Sequence, residues 1–195
     1  MESRSNGKAR SLSVALALFA LTAGAAGRVM ADPAQDFSDE AGIARWVVAV
    51  DQAEAQTAAA VKPKVVSVPV WQLAERIAVD HAKVDREFRD LAAGGTASIA
   101  VQSGVADLSK LSGEELEKAY VDREIKFHEA VLATLARDVI PNASSLPMRD
   151  RLVAFSDQLE SELQEAKSVQ YAAAFRKTAE EERAEISREI SNDGP

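Results

Sequence analysis

A chain of 195 residues, 47% hydrophobic and 28% charged, is long enough for one domain with a substantial core. With no cysteine it has no disulfide, no thiolate metal site, no thiol nucleophile and no acylated lipoprotein cysteine. A net charge of −8 argues against nucleic acid and anionic membrane surfaces as partners, and suits solubility or cation binding.

Residues 1–31 read as a cleavable secretory signal. Lys8 and Arg10 form a basic start, Leu12 to Ala26 an apolar stretch, and Val29-Met30-Ala31 a small-residue cleavage site. Cleavage is expected after Ala31, with a site near Ala25 as the alternative. An uncleaved anchor needs roughly 20 apolar residues, and Gly24, Gly27 and Arg28 interrupt the run too early. The expected location is therefore periplasmic or secreted. Without the leader, 19 basic and 30 acidic residues remain, a net charge of −11. No second apolar run could span a membrane, so no stable membrane insertion is expected after cleavage.

Four segments carry a 3.6-residue apolar period and almost nothing alternates with period two, which predicts an all-α domain over 32–175. The first helix is expected from about Asp39 to Val61, with Ser38 as N-cap and a stripe of Ile43, Trp46, Val47, Val50, Glu54, Ala58 and Val61. Pro63 and Pro69 bracket a short non-helical link. The second helix is expected from Val70 to Ala92, its stripe formed by Val70, Leu73, Ile77, His81, Val84, Phe88 and Leu91, with Gly94-Gly95 ending it.

Residues 93–111 read as a loop with room for one extended piece at 98–101. Ser112-Gly113-Glu114-Glu115 fits a capping box at the start of the third helix, which runs to about Val139 and is closed by Pro141. The fourth begins near Leu146-Pro147, with Leu152, Phe155, Leu159, Leu163, Ala166 and Val169 on one face. Short links between the first and second helices, and between the third and fourth, predict antiparallel hairpins forming a four-helix bundle. A helical array without a closed bundle is the alternative. Residues 176–195 are expected to form a projecting or frayed charged tail. Its Glu/Arg/Ala content is that of a solvated face, with a protein partner docking there as the alternative.

Polar residues on the apolar stripes carry the functional argument. The two histidines, His81 and His128, point inward, as do Glu54, Glu124 and Glu162, so all four helices contribute. A lone buried carboxylate costs several kcal/mol or protonates, and grouping imidazole with carboxylate around a transition metal such as Zn, Mn or Fe removes that cost. The competing explanation is structural: Glu124 with His128 and His81 with Asp85 could be ordinary i,i+4 pairs, and Glu54 and Glu162 could reach solvent at the seams. A dinuclear carboxylate centre expects Glu-x-x-His on two helices. Ala78 and Ile125 stand at those places, which leaves a mononuclear or looser site. Serine-hydrolase, phosphate-loop and His-Glu-x-x-His signatures are absent, so no reaction is argued. Trp46, Trp71 and Tyr120 are read as core.

Leu73-Ala74, Ile77-Ala78-Val79-Asp80-His81, Leu111-Ser112-Gly113, Ala119-Tyr120-Val121 and His128 together resemble the DUF4142 family of exported bacterial proteins over roughly Asp36 to Val169. The resemblance implies a ferritin-like helical bundle in the cell envelope with no established activity. Phe127 stands where the family usually has an aspartate before the second histidine. Glu162 stands where it commonly has a further histidine, and Glu124 where it tends to have methionine. These departures fit either the loss of a shared site or the replacement of a histidine ligand by a carboxylate. Two functions follow: a bundle binding a transition metal through the His/Glu cluster, or a non-enzymatic envelope protein, stress-related or acting through a partner, with structural histidines.

Overall fold

The computed structural model describes residues 37–92 and 105–192. The predicted signal, Gly94-Gly95 and the extended piece expected at 98–101 lie outside the described residues.

Helix α1, Glu40–Val61, is capped by Asp39, whose extended backbone lets its carboxylate accept a hydrogen bond from the Gly42 N–H at 2.6 Å. The cap is therefore one residue later than Ser38, because it is the Asp39 oxygen that reaches the third helical N–H. A 3-10 turn at Lys62–Lys64 leads to α2, Val68–Arg89. Pro69 lies inside the first turn of α2, not ahead of it, since the N–H it lacks would have no helical partner there.

A single helical turn, α3, Val105–Leu108, occupies part of the stretch expected to be loop. Helix α4, Gly113–Thr134, runs on through a π-type turn at Leu135–Val139 and a 3-10 turn at Ile140–Asn142, where Pro141 stops it. Ser112 stands at the N-cap but its side chain makes no capping bond. Gly113 follows with φ +57°, a left-handed start that departs from capping-box geometry and that glycine tolerates.

Helix α5, Leu146–Asn192, has 47 residues, about 70 Å at 1.5 Å per residue. It outruns α1, α2 and α4, each of 22 residues. Almost every residue from Tyr171 to Arg188 is exposed, Tyr171 at 76% and Phe175 at 67%. The described part of the expected tail, up to Asn192, is thus a continuation of α5.

Two glutamates fasten one helix to the start of another. Glu40 of α1 accepts from the Ser145 N–H at 2.8 Å and the Ser144 hydroxyl at 2.9 Å, just ahead of α5. Glu117 of α4 accepts from the Val66 and Ser67 N–H groups at 2.6 and 2.7 Å, just ahead of α2. Both serve backbone donors at helix starts that have no partner within their own helix.

Helix α1 packs chiefly against α2, α4 against α5, and α2 also touches α5. Along the first pair, Asp51 meets His81, Gln52 meets Asp85 and Lys62 meets Glu75. Along the second, Asp122 meets Gln170 and Glu129 meets Lys167.

The apolar interior falls into two clusters. One gathers the first half of α1 with the last third of α2, the end of α4 and the start of α5, around Trp46, Phe88, Leu135 and Phe155. The other gathers the end of α1 with the first half of α2, the start of α4 and the middle of α5, around Leu73, Ile77, Tyr120 and Leu163. Trp71 belongs to neither. It is 43% exposed, with the Lys62 ammonium 5.5 Å from its ring centre, because position 71 falls off the face formed by Val70, Leu73, Ala74 and Ile77. The described residues contain no strand, and none of their helices is long and apolar enough to cross a membrane.

Candidate metal centre

Between the two apolar clusters lies a layer of ionisable side chains, one or more from each long helix. All five residues singled out in the sequence, Glu54, His81, Glu124, His128 and Glu162, are 0% exposed and lie in this layer. The seam positions considered for Glu54 and Glu162 are therefore corrected: neither reaches solvent, because both fall between apolar residues that close over them. For Glu162 these are Leu159, Leu163 and Ala166 on its own helix.

Glu162 of α5 links the histidines. Its Oε2 accepts from Nε2 of His81 at 3.1 Å and from Nε2 of His128 at 3.0 Å, while Gln158 donates to its Oε1 at 3.2 Å. The imidazole centres are 6.0 Å apart with the planes at 74°. Phe155 meets the His81 ring edge to face, and Phe127 meets His128 the same way.

Each histidine is also held on its other nitrogen. Nδ1 of His81 donates to Oδ1 of Asp51 at 2.7 Å, and Nδ1 of His128 donates to the Glu124 backbone carbonyl at 2.8 Å. Neither i,i+4 pairing considered from the sequence is the main contact. The Glu124 carboxylate is 3.8 Å from His128, and Asp85 turns to Arg89 and Gln52.

Arg123 completes the cluster. It sits at its margin, the side chain 14% exposed and stacked over the Phe127 ring at 5.0 Å, with one guanidinium nitrogen 2.8 Å from Oε1 of Glu54 and another 2.7 Å from Oε1 of Glu124. Oδ2 of Asp51, Oε2 of Glu54, Oε2 of Glu124 and the Tyr120 hydroxyl have no amide, guanidinium, imidazole or alcohol partner. The Glu54 and Glu124 carboxyl groups share a hydrogen bond with each other, which leaves Oδ2 of Asp51 and the Tyr120 hydroxyl as the atoms short of a partner.

The electrostatics follow from this wiring. Burial favours neutral His81, but hydrogen bonds and charge from Asp51 and Glu162 outweigh it and hold the imidazole well above its ordinary pKa. Burial pushes the Asp51 carboxyl up to about 7 although His81 opposes the rise. For the pair, the cationic imidazole is the firmer direction, since it faces two carboxylates. Burial would raise Glu162 as well, yet hydrogen bonds from His128 and His81 bring it down to about 2. Glu54 is likewise brought down to about 2, Arg123 overcoming its burial, whereas burial and the Glu54 charge drive Glu124 well above the carboxylate range.

Glu54, His81 and His128 each offer a ligand atom such that these atoms lie within 4.8 Å of one another, all fully buried. Imidazole and carboxylate donors of this kind suit Zn, Fe or Mn. The Nδ1 contacts match what metal-ligating histidines make behind the metal: a carboxylate in one case, a backbone carbonyl in the other.

Asp51 and Arg123 were not anticipated. Asp51 had a signal, because it lies one turn beyond Val47 and one turn before Glu54 on the same stripe. Arg123 had none, since an arginine beside a glutamate in α4 reads as surface. No curated protein and no solved structure matches the chain. A domain family of unknown function, DUF4142, matches residues 25–169. That span takes in every residue of the layer, and the chain belongs to the DUF4142 family.

Proposed function

We propose that this is an exported protein whose helices close into an antiparallel, ferritin-like four-helix bundle holding one transition-metal ion between Glu54, His81 and His128, with Glu162 as a further donor. The observation that carries the metal reading is the convergence of three fully buried ligand atoms within 4.8 Å of one another. The Nδ1 atoms of both histidines are held by acceptors, so an ion would be bound through Nε2, taking the place of the protons that Nε2 shares with Glu162. When bound, such an ion supplies Lewis acidity and, if it is Fe or Mn, redox capacity. Asp51 and the Glu124 carbonyl orient the rings, and Phe127 and Phe155 keep bulk water from them.

The antiparallel arrangement is supported by the contacts: Asp51 within α1 meets His81 late in α2 while Lys62, just past the end of α1, meets Glu75 early in α2, and Asp122 meets Gln170 while Glu129 meets Lys167. Export is supported by Lys8, Arg10 and the apolar run from Leu12 to Ala26. The expected N-terminus of the secreted form is Asp32, read by mass spectrometry.

A second reading is a non-enzymatic envelope protein whose polar layer is self-compensated, with a partner docking on the charged tail. One observation favours it: both nitrogens of each histidine already face an acceptor. Metal analysis of protein purified without an affinity tag, with thermal melting in the presence of Zn, Mn and Fe, decides between the two. A bound ion or a melting shift that disappears in His81→Ala and His128→Ala supports the metal reading. No bound ion, no shift and variants that behave as simple core losses support the second.

A further inference from the structure

The Arg123 guanidinium is placed where a cation is needed. It forks between Glu54 and Glu124 at 2.8 and 2.7 Å, on carboxylates that are both fully buried. The two carboxyl groups also hydrogen-bond to each other, Glu124 carrying the proton. The Tyr120 hydroxyl, one turn before Glu124 on α4, is buried and unpartnered, and both carboxylates act on it electrostatically. Glu54 therefore faces two ways, towards the two histidines and towards Arg123. A carboxylate placed in this way can bridge two cations, and here one of the two is part of the chain.

We propose that Arg123 is a built-in cation occupying a second metal position formed by Glu54 and Glu124 beside Tyr120, and that it limits the bundle to one ion. The neighbouring side chains are oxygen donors, which select a hard divalent ion such as Mn²⁺. Removing the guanidinium leaves the proton-sharing Glu54–Glu124 pair without the cation it faces, and a divalent ion that displaces the shared proton takes that place. Only the first ion rests on the metal reading of the histidine pair. The second position is defined by Arg123 and its two glutamates.

The test compares Mn²⁺ stoichiometry in the wild-type protein, Arg123→Met, Arg123→Lys and the double variant Arg123→Met with Glu124→Gln, by calorimetric titration and elemental analysis. Methionine keeps the aliphatic stem against Phe127, and lysine keeps the charge. The expected result is one more ion per chain in Arg123→Met than in the wild type, and the wild-type number in both other variants. An unchanged count in Arg123→Met overturns the inference, and so does an extra ion that persists in the double variant.

A wild-type protein that binds none, with one ion in Arg123→Met, defeats the histidine site while upholding the second position. If Arg123→Met is unfolded without metal, far-ultraviolet circular dichroism during the Mn²⁺ titration decides. Refolding with one ion more than the wild type binds supports the proposal, and failure to refold at saturating Mn²⁺ overturns it.

Discussion

Asp51 holds Nδ1 of His81 at 2.7 Å, so the opposite nitrogen, Nε2, is the one that meets Glu162 across the core. This orientation is what turns a buried histidine into a candidate ligand. Without it the ring could rotate and offer either nitrogen, or neither, to the cluster.

Asp51→Asn is accordingly expected to keep the fold but to weaken metal binding. An amide can still accept from Nδ1, yet it does not raise the basicity of the ring as a carboxylate does. Loss of such a supporting partner typically costs about 10- to 100-fold in metal affinity. Competition against a chromophoric chelator measures it, and an affinity equal to the wild type would show that Asp51 does not serve a metal site.

His81→Ala and His128→Ala should each remove the bound ion and also destabilise the metal-free protein. Truncation leaves Glu162 without one of its two imidazole donors in a fully buried layer. For His81, which is held cationic, that breaks a buried ion pair at about 3–5 kcal/mol; for His128 it removes a hydrogen bond to a buried carboxylate at about 1–3 kcal/mol. Urea unfolding in the presence of a chelator reads this loss, and a loss below about 1 kcal/mol would mean that the layer admits water.

Glu117 provides a test away from the site. Burial opposes its ionisation, but hydrogen bonds from Ser67 and the Val66 N–H hold its carboxyl below the ordinary value. A folded pKa below the unfolded one stabilises the protein above the unfolded value, about pH 4.3, and the effect fades as pH falls through the folded value. Glu117→Gln should cost about 1 kcal/mol at pH 7, comparable with the loss of a helix N-cap. The difference from wild type should narrow towards pH 3. Chemical denaturation across pH 3–7 checks it, and a gap that stays constant over the range would rule out the carboxylate as the cause.

Removing residues 178–195 should change stability by less than about 0.5 kcal/mol, as for other exposed surface changes. The described residues from Thr178 to Arg188 are exposed except for the half-buried Ala179. Thermal melting followed by circular dichroism should give a smaller helical signal and an unchanged midpoint. A clear drop in the midpoint would indicate that the tail packs on the bundle or on a second chain.

The secondary structure was legible because each long helix carries its own apolar period. Ile43 to Val61, Val70 to Phe88 and Leu152 to Ala166 are buried at the expected spacing. Helix starts were less legible: the donors ahead of α2 and α5 are served by Glu117 and Glu40, which come from other helices. Trp71 was misread as core because a large aromatic beside an apolar stripe looks much like one within it.

The inward direction of Glu54, His81, Glu124, His128 and Glu162 was determined by the sequence alone, since rotation per residue in a helix is a local property. Whether these side chains meet was decided by tertiary structure, because it depends on the relative height of four helices that no local rule sets. The same holds for what each atom touches. Glu162 joins the two histidines, Asp51 fixes one of them, and Arg123 enters from the margin to claim Glu54 and Glu124. Helix phase is written residue by residue, whereas the partner of a buried charge is chosen only when the helices pack and its water is lost.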